Sequence, residues 1–149
     1  MKPSICIGTA QFGMSYGITN KAGKVLYSEV EKILSSALDS SINMLDTASV
    51  YGSSEEVIGM QYKTKNFFKI TNKFPSQENQ SFNKDDQLIW ENNFLKSLSL
   101  LGVKSIESYL IHDSNDLSKP GNKYLLDWLM SLKERKLVKR LGVSIYSPD

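Results

Sequence analysis

The sequence predicts an α/β fold with one parallel sheet, its five strands lying side by side in sequential order. Two observations lead there. Short apolar runs alternate along the chain with segments of helical periodicity, the pattern of repeated βαβ units. Each strand is separated from the next by about one helix, and short right-handed crossovers set consecutive strands next to one another. A third observation points to a site: an acid, a lysine and a histidine fall at or just past the ends of successive strands.

Ser4-Ile5-Cys6-Ile7 reads as the first strand, stopped by Gly8, and residues 14–27 as a polar loop. Ser28 and Glu31 have the spacing of a capping box. The helix they start carries Val30, Ile33, Leu34, Ala37 and Leu38, an i, i+3, i+4, i+7, i+8 stripe packed on one side. Residues 42–46 form the second strand, ending in Asp46. A short loop presents Tyr51 and Gly52. Ser53 and Glu56 make a second capping box, opening a helix from 54 to about 61. Phe67 to Thr71 reads as the third strand, ending near Asn72-Lys73, and residues 75–84 as a solvated connector. A helix from Asp85 carries Leu88, Phe94, Leu95, Leu98 and Leu101, with Gly102 as its stop. Trp90 packs from the same helix. Ile106 to Ile111 is the fourth strand, followed by His112-Asp113. The helix from Asn122 buries Leu125, Trp128, Leu129 and Leu132, and Lys133, Arg135 and Lys136 suit its negative end. Arg140 to Ile145 is the fifth strand. Four helices accompany the five strands.

Composition narrows the function. Within 149 residues, 40% are hydrophobic and 23% charged, as in a soluble globular domain. A net charge of +2 is too small to argue for nucleic acid or an anionic membrane as partner, and neither is expected. No apolar run approaches the roughly 18 residues that span a bilayer. The amino-terminus does not read as a signal peptide, so a cytoplasmic location is the expectation. Cys6 is the only cysteine and His112 the only histidine, which rules out an intrachain disulfide and leaves ordinary zinc sites poorly supplied. The expectation is no bound metal.

In a parallel sheet every strand's carboxyl end lies on one edge. Neighbouring strands are about 4.8 Å apart, so three of them span on the order of 10 Å. Asp46, Lys73 and His112, found separately in the sequence, therefore converge on one small patch beside Tyr51. Each has a plainer role if taken alone: the acid as a loop cap, the phenol as a packing group, the lysine as a solvated side chain, the imidazole as a structural hydrogen-bonder.

The stretch around Tyr51 resembles the aldo/keto reductase family. The residues that carry the likeness are Asp46-Thr47-Ala48, Tyr51-Gly52, Ser54-Glu55 and Ile58-Gly59. The resemblance implies a (β/α)8 barrel that reduces carbonyls with a nicotinamide cofactor, NADPH by preference with NADH as the alternative. It also implies a catalytic tetrad of Asp46, Tyr51, Lys73 and His112. Thr9-Ala10-Gln11-Phe12-Gly13 is similar to the family's turn after the first strand, so Thr9 and Ala10 are expected to approach the cofactor together with Asp46. Ser144 stands where the family carries a Ser-Asn pair against the nicotinamide amide; here the second residue is Ile145. Carbonyl reduction needs a hydride at carbon, from the cofactor, and a proton at oxygen. Tyr51 is the expected general acid. A free phenol titrates near pH 10, and a neighbouring ammonium favours the phenolate. Lys73 supplies that ammonium, Asp46 holds Lys73, and His112 orients the carbonyl or shares in proton transfer.

Length departs from this pattern. A (β/α)8 barrel typically takes about 250 residues, and Ser147-Pro148-Asp149 reads as the start of a further helix. The expectation is the amino-terminal part of such a barrel, residues 1–149, with the carboxyl-terminal part absent. Such a chain is expected to bind cofactor weakly or not at all, and to self-associate through open sheet edges. The alternative is a non-catalytic relative, a binding or regulatory module that keeps the barrel residues. A flavodoxin-like domain is a further reading, distinguished by strand order 2-1-3-4-5.

Overall fold

A computed structural model describes residues 5–61 and 64–145 of the chain. Five strands form a single sheet in the order β1-β2-β3-β4-β5, every neighbouring pair parallel. This sequential order agrees with a barrel-type sheet and excludes the flavodoxin-like arrangement. The strands are β1 (Ile7–Gly8), β2 (Met44–Asp46), β3 (Lys69–Phe74), β4 (Ile106–Ile111) and β5 (Val138–Val143). Between them run α1 (Ala10–Gly13), α2 (Tyr27–Asp39), α3 (Ser54–Gly59), α4 (Asp86–Leu101) and α5 (Asn122–Glu134). No helix among the described residues is long and apolar enough to cross a membrane.

Side-chain alternation divides the sheet into two faces. Ile70, Asn72 and Phe74 of β3 face the helices. Thr71 and Lys73 face the other way, in register with Asp46 of β2 and with Ser108 and Leu110 of β4. On the helix side Phe74 packs against Trp90 of α4 and Trp128 of α5, with ring centroids 5.7 and 5.6 Å apart. Phe94 and Tyr109 complete this aromatic cluster at 5.0 Å. Leu34 of α2, Ile58 of α3, Leu101 of α4 and Leu132 of α5 are fully buried on the same side. Burying each such side chain contributes about 1.5–3 kcal/mol. Both tryptophans pack, as expected. Leu88 and Leu95, on the other side of α4, are exposed.

Several boundaries differ from the sequence reading. β1 pairs only at Ile7 and Gly8, so Gly8 lies inside the strand it was expected to stop; Ser4 is outside the described residues, as is the helix start read at Ser147-Pro148-Asp149. β3 begins at Lys69 after a 3-10 turn at Lys65–Phe67, and Lys73 sits within the strand. β5 begins two residues early. A fifth, four-residue helix, α1, follows Thr9. Neither capping box forms. α2 starts at Tyr27, leaving Ser28 inside its first turn, and Leu26 precedes it without a side-chain cap. Ser53 precedes α3 but makes no cap bond; its hydroxyl accepts from Lys24 Nζ instead. The helix end at Gly102 is as read: its φ of 63° is the left-handed conformation that glycine adopts without a Cβ penalty. Of the basic residues assigned to the end of α5, only Lys133 lies in its last turn. Arg135 follows the helix and clasps Glu91 of α4 through both guanidinium nitrogens, at 2.7 and 2.8 Å. The 75–84 segment is more than a solvated connector. Phe82 is buried, and Gln77 accepts from Trp90 Nε1 at 3.1 Å.

Candidate active site

β2, β3 and β4 deliver three of the four residues expected to form the site to one edge of the sheet, and the β2–α3 loop delivers the fourth. Lys73 is 6% exposed. Its ammonium forms an ion pair with Asp46 and donates to the Thr47 carbonyl at 3.2 Å. Asp46 and Lys73 face the same way because Asp46 pairs with Thr71, two residues before Lys73. A buried ammonium is tolerated only with such partners.

The Lys73 ammonium also stands 5.1 Å from the centroid of the Tyr51 ring. The Tyr51 and His112 rings meet edge to face, with centroids 6.4 Å apart and planes at 88°. His112 directly follows β4, where its N–H donates to Phe74 at 3.0 Å and continues the ladder. Burial lowers the His112 pKa below its usual value; the Lys73 ammonium lowers it further, while Asp46 and Asp113 oppose. The imidazole is therefore neutral at pH 7.

Two glycines fix the loop that carries Tyr51. Gly52 adopts φ 59°, and its Cα approaches the backbone of Gly13. A Cβ on Gly13 would lie 1.8 Å from the Tyr51 carbonyl oxygen. Backbone packs on backbone here, and no other residue fits.

The expected cofactor residues sit as follows. Ala10 opens α1. Thr9 is fully buried, and both its N–H and its hydroxyl donate to the Asp46 carbonyl, at 2.9 and 3.0 Å. Ser144 follows β5, with its N–H on the Ile111 carbonyl at 2.8 Å, which sets it beside His112 at the same sheet edge.

Three features were not legible in the sequence. Ser54 is fully buried and its hydroxyl contacts Thr9 and Thr47. Glu55, 4% exposed, accepts from Asn72 Nδ2 at 2.7 Å. Cys6 lies close enough to Asp46 for that charge to raise its pKa, secondary to burial, while Lys73 acts the other way. Ser54-Glu55 appears in the family resemblance, which signals more constraint than a helix cap requires.

A sequentially ordered parallel sheet with polar groups gathered at its strand ends is the architecture of (β/α)8 proteins. The aldo/keto reductase family model matches residues 4–149, and the chain belongs to that family. No curated protein matches it. Among solved structures, a Pseudomonas aeruginosa protein assigned as an aldo-keto reductase is 26% identical, with a TM-score of 0.73 over 93% of this chain and 54% of its own. An aldo-keto reductase from Bacillus halodurans in its holo form shares the fold at 18% identity and a TM-score of 0.71, covering 97% of this chain and 47% of its own. One from Bombyx mori, solved with NADP, does so at 22% and 0.64, over 95% and 46%. The chain thus spans about half the length of these relatives.

Proposed function

We propose that this chain carries the proton-delivering site of an NAD(P)H-dependent oxidoreductase, one that reduces the carbonyl of an aldehyde, ketone or sugar to an alcohol. The observation that carries the reading is the Lys73 ammonium, paired with Asp46 and held beside the Tyr51 ring. The residues suit a nicotinamide reaction: a phenol that can give a proton, an ammonium to stabilise the anion left behind, a neutral imidazole to orient an oxygen, and a serine hydroxyl near them for a carboxamide. NADPH is the proposed cofactor, with NADH as the alternative, and when bound it supplies a hydride to the carbonyl carbon. Ser144, Thr9 and Ala10 are proposed to line its site with Asp46.

The protein's share of the reaction is position and a proton. His112 donates a hydrogen bond to the substrate oxygen and fixes the carbonyl beside Tyr51. The Tyr51 hydroxyl transfers its proton to that oxygen as negative charge develops on it. The Lys73 ammonium stabilises the phenolate oxygen, and Asp46 keeps that ammonium in place. Solvent returns the proton to Tyr51 once the alcohol leaves. Self-association through the β1 and β5 edges belongs to the same proposal.

Aldehyde-dependent NADPH oxidation, followed at high protein concentration, tests it. The expected result is slow turnover that falls by about 10²–10⁴ in Tyr51→Phe, the usual worth of a positioned general acid. A rate equal in both proteins would contradict the role of Tyr51. The chain's coverage of only about half of its relatives favours a second reading, a non-catalytic binding or regulatory module. The absence of any aldehyde-dependent oxidation would select it.

A further inference from the structure

We propose that Ser54 and Glu55, the first two residues of α3, are positioning residues that hold the Asp46–Lys73 ion pair from the helix side of the sheet. The inference rests on the reading of that pair as the heart of the site. Ser54 is fully buried, and its hydroxyl meets Thr9 O at 2.9 Å, Thr9 Oγ1 at 2.8 Å and Thr47 Oγ1 at 3.1 Å. Each neighbour grips one partner of the pair. Thr9 donates twice to the Asp46 carbonyl, and the Thr47 carbonyl receives the Lys73 ammonium. Glu55 takes the other side. Its carboxylate accepts from Asn72 Nδ2 at 2.7 Å, and Asn72 Oδ1 accepts from the Lys73 backbone N–H at 2.7 Å.

A buried carboxylate is expensive where a neutral acceptor would satisfy one amide. An acid in the first turn of a helix ordinarily sits in solvent near the positive end of the dipole. Glu55 instead points into the protein and fixes the side chain that immediately precedes Lys73. Fully satisfied polar networks of this kind hold one arrangement against alternatives. One dipeptide thereby ties the ends of β1 and β2 and the interior of β3 to the start of a single helix.

The ammonium 15N–1H spectrum of the 149-residue chain reads the effect without cofactor or substrate. A buried, paired lysine gives a slowly exchanging signal, assigned to Lys73 by its disappearance in K73R. Ser54→Ala and Glu55→Ala are expected to accelerate exchange of that signal by about ten-fold or to abolish it. Glu55→Gln keeps an acceptor for Asn72 and is expected to stay within about two-fold of the unsubstituted chain. Amide spectra report whether each variant is folded; should Glu55→Ala fail to fold, Asn72→Ala reads the same link from its other end. Folded variants with lowered thermal stability but an unchanged Lys73 signal would overturn the proposal, as would a fast-exchanging Lys73 in the unsubstituted chain. Because no cofactor is present, a chain that fails to oxidise NADPH yet shows these changes would sink the reductase reading alone.

Discussion

His112 is the chain's only histidine, so its titration is isolated in a way few residues allow. Burial and Lys73 lower its folded pKa below the ordinary value of 6.5. The unfolded chain therefore binds the proton more tightly, and as pH falls through the unfolded value the native state loses stability. His112→Gln removes that term. The expected outcome is a flatter dependence of thermal midpoint on pH between about 7 and 5.5; an unchanged slope would contradict the burial assigned to the ring. That Tyr51 and Lys73 would lie together with Asp46 at one sheet edge was legible from their places after β2 and on β3. Glu55 was not, because a first-turn acid has a ready explanation in the helix dipole, and nothing in its immediate neighbours says that it is buried.

At the scale of elements, α3 and α4 meet through backbone. A Cβ on Gly59 would lie 1.9 Å from the Leu100 carbonyl oxygen, so the two helices approach as closely as they do only because the side chain is absent. Gly59→Ala is expected to lower stability by about 1–3 kcal/mol in denaturant unfolding, the usual penalty of forcing volume into a packed contact. A loss near zero would mean that the helices part easily. The same scale explains which elements could be read in advance. β4 runs from Ile106 to Ile111 as read, a run bounded by Ser105 and His112 with a strand on either side. β1 was read at Ser4 to Ile7 but pairs at Ile7 and Gly8, because its two paired residues are chosen by the register with Leu45 and Asp46, not by local pattern. The Ser53 capping box failed for a related reason: the Ser53 hydroxyl takes a bond from Lys24, twenty-nine residues away, a contact that spacing cannot show.

For the whole molecule, the sequential parallel order was legible because alternation of strand and helix leaves few topologies. That order alone gathers Asp46, Lys73 and His112 at one edge. The chain covers 54% of its Pseudomonas relative and 47% of its Bacillus relative, and our proposal for it alone is weak binding at the strand ends. The most direct test is a titration of 15N-labelled chain with NADP⁺ to several millimolar, read residue by residue. The account predicts saturable shifts that cluster at Thr9, Asp46, Tyr51, Lys73, His112 and Ser144. Signals that stay fixed there, or move only on the α4–α5 face, would contradict it.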